Sequence, residues 1–314
     1  MKKLAVVAFG GNALLRSGQK GTIEEQEANV FESCTHLFEL VKNDYNIVIG
    51  HGNGPQVGNV MLQHSAGEKM YGIPAQPLDI CVAETQGSIG YMIQQQMKNV
   101  LNKKGYQRDV LALITRVYVD KNDPAFQNPT KPVGPYYTKE EAERFMVNSN
   151  AKFAEDSRGR GWRKAVASPS PLHIDNVETI KMMADNGVIV ITVGGGGIPV
   201  YSLDENTVEG IDAVIDKDSA SSKLATEIKA DEFYILTDIP KVFIHFNTPE
   251  QKALDIVTVS EAEKYLAEGH FAEGSMAPKM RAAVRFIKNG GKKCIITESS
   301  QLQVPDAGTQ IVRD

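Results

Sequence analysis

The chain has 314 residues, of which 42% are apolar and 23% charged, and its net charge is −5. A chain of this length buries roughly 75% of the surface of its unfolded state, so it needs no disulfide or metal ion to hold its fold. The acidic balance argues against a general nucleic-acid-binding protein, which needs a broad basic face, and against adhesion to anionic lipid. A small basic pocket inside an acidic shell is still compatible with these numbers.

The cysteines and the first residues predict the compartment. Cys34, Cys81 and Cys294 lie far apart and form no CxxC pair, which predicts buried thiols in a reducing cytosol rather than disulfides or a thiolate metal site. The apolar run 4–9 is too short for the core of a signal peptide and leads directly into two glycines. No stretch approaches the ~20 apolar residues of a membrane span. We therefore expect a cytoplasmic protein.

Along most of the chain, short β-branched apolar runs alternate with helical patterns. The predicted strands are 4–9, 47–49, 110–114, 188–193, 213–215, 233–236, 242–246 and 294–297. The predicted helices are one that a capping box at 22–25 opens and the stretches 83–104, 177–186, 219–229, 260–268 and 278–289. Strands without polar residues that alternate with helices are typical of a parallel sheet covered on both faces. This pattern predicts an α/β fold, a three-layer α/β/α sandwich around a mainly parallel open sheet.

The segment 120–165 interrupts this alternation. It contains Asn-, Pro- and Lys-rich turns and one predicted short helix near 138–146. Its last part, 157–165, holds four basic residues and no acidic one. Long irregular segments in compact domains are usually lids, binding loops or small subdomains. We predict a lid over an anion, and a solvated surface insertion is the alternative.

Three glycine clusters, 10–11, 50–54 and 194–197, each accompany the end of a predicted buried strand. In an open parallel sheet, ligands bind beyond the carboxyl ends of the strands. Glycine lets the backbone approach a ligand there and turn its N–H groups inward, which creates an anion site. Three such clusters in one sheet predict a ligand site rather than three ordinary turns.

The usual nucleotide-binding fingerprints are absent from the sequence. No GxGxxG motif opens a helix after the first strand, which disfavours a Rossmann dehydrogenase, and no GxxxxGK[ST] motif occurs. If phosphates bind to this chain, positive charge must therefore come from lysines outside a Walker loop.

Three lysines are candidates for that charge. Lys131 lies between prolines in the segment 120–165, whereas Lys217 and Lys279 lie at predicted helix starts. A lysine at a helix N-terminus opposes the helix dipole unless an anion meets both. Asp216 and Asp218 flank Lys217, and we interpret Asp218 as the carboxylate that orients two lysine ammonium groups. Its alternative role is to favour the helix dipole at the start of that helix.

Side chains for acid–base, covalent or metal chemistry are not evident. The six histidines show no metal-ligand spacing, and only His51 lies beside a predicted site. No serine or cysteine has a base that the sequence reveals. We therefore predict no metal site made of side chains alone.

Six segments together resemble the carbamate kinases of the amino acid kinase superfamily. They are AFGGNAL at 8–14, HGNGPQVG at 51–58, NPTKPVG at 128–134, GGGGIP at 194–199, AVIDKD at 213–218 and GSMAPK at 274–279. They follow the order of the family from the first strand to the last helix, and the GNGPQVG and GSMxPK stretches are the specific ones. Related amino acid kinases carry a lysine on the first strand. This chain has none between Leu4 and Gly10, which favours the carbamate branch, with Lys131 in that role.

The resemblance implies a division of labour along the chain. It implies an N-terminal lobe, 1–207, that holds carbamate or carbamoyl phosphate, with 120–165 as a small protruding lid subdomain, and a C-terminal lobe, 208–314, that holds the nucleotide. The implied catalytic residues are Lys131, Lys217, Asp218 and Lys279. The implied substrate-binding residues are Gly10, Gly11, Asn12, Gly52, Asn53, Gly195 and Gly196. The implied nucleotide-binding residues are Lys217, Thr237, Asp238, Gly274, Ser275, Met276 and Lys279.

The resemblance also implies the reaction and its participants. These are ATP or ADP, carbamate or carbamoyl phosphate, Mg²⁺ and a homodimer, with the reaction run toward ATP synthesis in arginine catabolism. Two alternatives remain open at this point. One is another amino acid kinase, acting on acetylglutamate, glutamate or UMP, and the other is a nucleotide- or anion-binding sensor without turnover.

Overall fold

The structure is a computed structural model, which describes residues 2–16, 18–148, 151–156, 159–304 and 306–314. Arg158, one of the four basic residues predicted to lie over an anion, falls outside the described residues. The side chain of Asn12 is likewise outside the description.

Eight α-helices occur in the described part of the chain. They are α1 (Ile23–Lys42), α2 (Gly54–Tyr71), α3 (Leu78–Lys104), α4 (Lys139–Asn148), α5 (Val177–Asp185), α6 (Lys217–Glu227), α7 (Val259–Ala267) and α8 (Met276–Lys288). The predicted capping box is confirmed at the start of α1, where Thr22 and Glu25 cap each other's backbone. Short 3₁₀ helices lie at Gly11–Ala13, Pro124–Phe126, Gly194–Gly196 and Ser299–Gln303.

Strands of the described residues form one large sheet and three small ones. They are β1 (Leu4–Phe9), β2 (Asn46–His51), β3 (Val110–Ala112), β4 (Arg116–Tyr118), β5 (Lys131–Tyr137), β6 (Lys152–Glu155), β7 (Trp162–Val166), β8 (His173–Ile174), β9 (Ile189–Ile191), β10 (Ile198–Ser202), β11 (Val208–Gly210), β12 (Glu232–Thr237), β13 (Phe243–Ile244), β14 (Lys252–Ala253), β15 (Ile256–Thr258), β16 (Lys293–Glu298) and β17 (Thr309–Val312).

The large sheet has the order β15-β17-β16-β12-β1-β2-β9-β3. Every neighbouring pair is parallel except β16 and β17, which run antiparallel. Strands from the first part of the chain lie on one side of the β1–β12 junction, and strands from 232 onward lie on the other. The chain thus leaves β1 toward one edge and returns toward the other, so this junction is the switch point where ligands bind in open α/β sheets.

Side chains of β1 show why the sheet is covered on both faces. Val6 and Ala8 point into one hydrophobic core with α5, α6, α7 and α8, whereas Val7 and Phe9 point into a second core with α1 and α3. All six residues of β1 are buried, as expected of a strand between two helical layers. The predicted three-layer α/β/α sandwich is confirmed.

The segment 120–165 contains more structure than the sequence predicts. Strands β5, β7 and β6 form a separate three-stranded antiparallel sheet, onto which α4 packs, and only α4 was predicted. Tyr137, Phe145 and Phe153 form a small aromatic core, with ring centroids 5.3 to 5.8 Å apart. We call the unit from β5 to β7 the lid subdomain.

The lid subdomain docks onto α2 through two glycines. A Cβ atom added to Gly58 would lie 1.8 Å from the Cα atom of Gly134, so only glycine allows this approach. Within the lid subdomain, the Arg163 Nε–H donates to the Gly134 carbonyl oxygen, at 2.8 Å, and so supports the backbone at this contact. The position of the lid subdomain therefore depends on a backbone-to-backbone contact.

Two predicted strands are wrong or displaced. The run 213–215 is buried but pairs with no strand, and its one backbone bond to another segment described here is from Val214 N–H to the Ala167 carbonyl oxygen. The run 242–246 contributes only the two-residue β13, which pairs with β14 outside the large sheet. Apolar composition predicted burial correctly for 213–215, but in 242–246 only Val242 and Ile244 are buried, and Phe246 is exposed. In neither run did composition determine a ladder partner. The three cysteines are free and buried, as predicted.

Candidate active site

A cavity of about 1010 Å³ opens at the carboxyl ends of β1, β2 and β12. The first residue after each of these strands, Gly10, Gly52 and Asp238 respectively, lies in the cavity wall. This is where ligands bind in open α/β sheets. Of the predicted site residues, those that line it are Gly10, Gly11, Gly52, Asn53, Lys131, Gly195, Lys217, Asp218, Thr237, Asp238, Gly274, Ser275 and Lys279. The structure thus brings residues from seven separate segments into one space.

Two of the lysines share one buried carboxylate. Lys217 begins α6 and Lys279 lies in the first turn of α8, and these helices pack against each other. The Lys217 Nζ donates to Asp218 Oδ1, and the Lys279 Nζ donates to Asp218 Oδ2 at 2.9 Å. The side chains are 12%, 15% and 3% exposed in the order Lys217, Lys279, Asp218, which leaves one net positive charge almost without water.

Burial and charge act in opposite directions on these groups. Burial lowers the pKa of Lys217, and the neighbouring Lys279 ammonium adds to this, while Asp218 opposes it. For Lys279 the penalty of burial is outweighed by Asp218 and Asp216, so its pKa is raised. Burial disfavours the charged form of Asp218, but the two ammonium groups outweigh this and lower its pKa. Because the pKa of Lys217 is lowered and that of Lys279 is raised, Lys217 loses its proton first as pH rises.

The third lysine reaches the cavity from the lid subdomain. Lys131 begins β5, and its Nζ lies 2.6 Å from Asp216 Oδ2. The other oxygen of Asp216 accepts hydrogen bonds from the backbone N–H groups of Asp218 and Ser219, each at 3.0 Å, and so caps α6. Burial would raise the pKa of Asp216, but Lys131, with Lys217 and Lys279, holds it well below its ordinary value. Asp216 is therefore an anion that joins the lid subdomain to the start of α6.

The glycine clusters bring neighbouring segments close together. A Cβ atom on Gly10 would lie 2.5 Å from the Leu236 carbonyl oxygen, and one on Gly195 would lie 2.2 Å from the Asn53 side chain. Gly52 leaves room for the aliphatic part of the Lys217 side chain, because a Cβ atom on Gly52 would lie 3.2 Å from Lys217 Cδ. The Gly52 N–H donates to the Phe9 carbonyl oxygen at 3.3 Å, and Gly52 remains in the wall of the cavity.

His51 supports this backbone and does not supply a proton to the site. It is 1% exposed, and its Nδ1–H donates to the Gly52 carbonyl oxygen at 3.0 Å. Burial lowers its pKa to about 4, so the imidazole is neutral near pH 7. A Cβ atom on Gly194 would lie 2.3 Å from His51 Nε2, so the four-glycine turn packs directly onto the ring.

A second cavity of about 440 Å³ adjoins the first and shares part of its wall. Thr237, Asp238, Ser275 and Lys279 line both cavities, and the predicted residue Met276 lines the second. Aromatic side chains that the sequence did not identify as site residues complete it, namely Phe243, His245, Phe246, His270 and Phe271. A polar cavity joined to an aromatic one has room for a molecule with both phosphates and a planar ring.

Some predicted residues lie elsewhere, and some residues of the site were missed. Gly196 packs against the Ile215 backbone and does not line the large cavity. Arg160 and Arg163 of the predicted basic run do line it. Asp216 was noticed only as a neighbour of Lys217. Gln86 holds the Gly194 carbonyl oxygen at 2.9 Å, and its position in the middle of α3 gave no signal in the sequence.

The chemistry of the site is that of an anion pocket. Among the described residues there is no group of three His, Cys, Asp or Glu side chains that could hold a metal ion. None of the helices in the described ranges has the length and apolar character of a membrane span. Convergent ammonium groups and close backbone turns favour the binding and transfer of an anionic group.

The comparisons with known proteins agree with this geometry. Residues 3–298 match the amino acid kinase family, and the chain belongs to that family of phosphotransferases. A carbamate kinase of Pyrococcus furiosus is 51% identical over 94% of this chain and 94% of its own length. The carbamate kinase of Giardia lamblia bound to citric acid matches with a TM-score of 0.93 and 40% identity, over 100% of this chain and 99% of its own. The same enzyme bound to AMP-PNP matches with a TM-score of 0.90 and 41% identity over the same shares. Within the family, the chain is a member of the carbamate kinases.

Proposed function

We propose that this protein catalyses reversible phosphoryl transfer between ATP and carbamate, forming ADP and carbamoyl phosphate. The observation that carries the proposal is the convergence of Lys131, Lys217 and Lys279 on one cavity, each hydrogen-bonded to an aspartate. Full-length relatives named carbamate kinase support the same reaction. The catalytic residues would be these three lysines and Asp218, which orients two of them.

Phosphoryl transfer needs in-line alignment and positive charge around three equatorial oxygens, and little covalent help. In our proposal, Lys217 and Lys279 neutralise the phosphates of the nucleotide, and Lys131 binds the migrating phosphoryl group from the lid side. Carbamate is already an anion, so no base has to remove a proton before it attacks. A neutral, buried His51 is compatible with such a reaction.

We assign the acceptor and the nucleotide to opposite sides of the β1–β12 junction. Carbamate would lie by Gly10, Gly11 and Asn53, in the lobe formed by residues 1–207. The nucleotide would extend past Thr237, Asp238 and Ser275 into the aromatic cavity, in the lobe formed by 208–314. The order of the strands supports this division, because each side of the junction is built from one part of the chain. The binding of AMP-PNP by the Giardia lamblia enzyme supports a nucleotide site.

Mg²⁺ fits this donor set as a companion of the nucleotide. It favours octahedral oxygen ligands and is usually held by one or two carboxylates together with substrate phosphates. The carboxylate of Asp238, which lines both cavities, would be the protein ligand. When bound, the ion would neutralise charge on the β and γ phosphates.

The small size of carbamate limits how it is recognised. It has four heavy atoms, and the best very small ligands gain at most about 1.5 kcal/mol per atom, or roughly 6 kcal/mol in all. Recognition therefore has to rely on dense hydrogen bonds and on exclusion of water by the lid subdomain. The contact between Gly58 and Gly134 would hold the lid subdomain where it can do so.

The cellular context belongs to the same proposal. We infer a cytoplasmic homodimer that uses Mg²⁺ and forms ATP from ADP and carbamoyl phosphate in arginine catabolism. Three buried thiols without a disulfide support the reducing compartment, and the other parts of this context follow from the family resemblance of the sequence.

A coupled assay for ATP formation from ADP and carbamoyl phosphate tests the reaction. We expect turnover that requires Mg²⁺. A panel of acceptors with ATP, comprising carbamate, acetylglutamate, glutamate and UMP, tests the choice of substrate. Turnover with one of the last three only would assign the chain to another branch of the family, and no turnover with any of them would leave a binding protein.

A further inference from the structure

The carboxylate of Asp216 makes two kinds of contact, one with each of its oxygens. Oδ1 accepts the N–H groups of Asp218 and Ser219 at the start of α6, and Oδ2 lies 2.6 Å from the Lys131 ammonium. The first contact lies within one turn of chain, whereas the second spans 85 residues. The local capping bonds thus fix the orientation of the Asp216 carboxylate independently of Lys131.

Lys131 needs such a partner because its side chain is long and free to rotate. A lysine holds its charge on a flexible four-carbon stem and loses about 2 kcal/mol of rotamer entropy when fixed. Its ammonium group reaches across the cavity from β5, and its side chain remains 26% exposed. Lys217 and Lys279 are held by burial and by Asp218, whose two oxygens both face them. Lys131 is less buried than these two lysines and makes no hydrogen bond to Asp218 among the described contacts.

We propose that Asp216 is a positioning residue, which holds the Lys131 ammonium over the cavity so that it meets the migrating phosphoryl group without a search through rotamers. This inference rests on the proposed function, since it needs Lys131 to act in the transfer. The two aspartates then divide the task. Asp218 orients the lysines of α6 and α8, and Asp216 orients the lysine of the lid subdomain.

The substitution Asp216→Asn separates the two contacts. Asparagine caps helices about as well as aspartate, so α6 keeps its cap while the lysine loses the negative charge. We expect kcat for ATP formation to fall about 10- to 100-fold, because displacing a catalytic group by about 1 Å can reduce the rate by up to about 100-fold. The KM for ADP should stay within about twofold of wild type, and the thermal midpoint should fall less than in Asp218→Asn, because the Asp216–Lys131 pair is more exposed than the pairs of Asp218. Asp216→Ser, which also keeps a capping oxygen, should give the same result.

A double-mutant cycle with Lys131→Ala decides whether Asp216 acts through the lysine. In single-turnover measurements on the Lys131→Ala protein, adding Asp216→Asn should change the rate less than about twofold, because the group that it positions is gone. An equal loss in both backgrounds would overturn the proposal, and so would wild-type kcat in Asp216→Asn. Failure of the wild-type protein to form ATP would instead reject the proposed function.

Discussion

The two sides of the cavity hold their lysines in different ways. On the helical side, Lys217 and Lys279 are nearly buried and share Asp218, and α6 and α8 pack against each other as part of one hydrophobic core. On the lid side, Lys131 begins a strand of a small separate sheet and meets its carboxylate across the cavity. The ammonium groups of Lys217 and Lys279 are held in place by the packing of the two helices. The position of the Lys131 ammonium depends instead on how the lid subdomain docks. Changes to the two sides should therefore have different effects on stability and on turnover.

The largest effect on turnover should come from Lys131→Ala. We expect kcat to fall by about 10³-fold or more, as when a mobile cationic finger is removed from other phosphoryl-transfer sites. The KM for ADP should change little, and the thermal midpoint should fall less than in Asp218→Asn, because the Lys131–Asp216 pair is more exposed than the pairs of Asp218. Lys152→Ala, in the same subdomain but bound to the Gln127 carbonyl oxygen, is the matched control and should behave like wild type. Turnover of Lys131→Ala near that of wild type would remove the lysine from the mechanism.

Asp218→Asn should affect both stability and turnover, in contrast to Lys131→Ala. Two nearly buried ammonium groups would lose their shared carboxylate, and breaking a buried ion pair costs about 3–5 kcal/mol. We expect a clear fall in the free energy of unfolding, measured in urea, and a loss of about 10²-fold or more in kcat. Asp175→Asn, which removes a surface pair with Arg116, should change stability by less than about 1 kcal/mol. Equal stability losses in the two variants would contradict the contrast between the two sides.

Gly58→Ala tests the docking of the lid subdomain. The new Cβ atom would lie 1.8 Å from the Gly134 Cα atom, so the lid subdomain must shift and carry Lys131 with it. We expect kcat to fall about 10²-fold, since an error of about 1 Å in placement has that effect. Gly67→Ala in the same helix has only the Ile73 side chain near its Cβ atom, at 4.0 Å, and should be neutral or stabilising by up to about 1 kcal/mol. A Gly58→Ala enzyme as active as Gly67→Ala would show that lid placement does not limit the reaction.

The smallest effect should appear in the pH profile of kcat. Burial lowers the pKa of Lys217, so its ammonium is lost at a lower pH than that of an ordinary lysine. If its charge is needed, kcat should decline on the alkaline side with an apparent pKa below 10.5. Asp218→Asn should move this decline to still lower pH, because Asp218 favours the protonated lysine. Lys217→Arg should abolish the decline, since a guanidinium stays charged. A profile that is unchanged by both substitutions would exclude Lys217 as its source.

The same linkage predicts a sign for stability. The folded pKa of Lys217 lies below the unfolded one, so between the two values the unfolded chain binds more protons and stability rises with pH. Lys279 has a raised pKa, so its contribution is present at lower pH and is lost as pH rises through its folded value. Urea unfolding as a function of pH should show the two effects in different ranges: Lys217→Met should remove a rise in stability below pH 10.5, and Lys279→Met should remove a fall in stability above it.

Local sequence signals predicted much of the fold. The run 4–9 matches β1 in full, because a strand buried on both faces has only apolar residues. The capping box marked the start of α1 for a local reason, since its two partners are three residues apart. By contrast, α2 was not predicted, because Val57 and Gly58 are its only buried residues and give no helical period. The lid sheet was missed because Pro132 and Gly134 interrupt any alternation along β5.

The candidate site divides in the same way. The sequence by itself determined which residue types cluster after the strands, and from them it predicted the three lysines and Asp218. Only the tertiary structure decided that Asp216 pairs with Lys131, that aromatic residues near 243–246 and 270 line a second cavity, and that the Gly52 N–H is already bound. The physical reason is distance along the chain. A cap or an apolar strand is specified by neighbours within a few residues, whereas an ion pair across 85 residues exists only once the sheet has placed both ends.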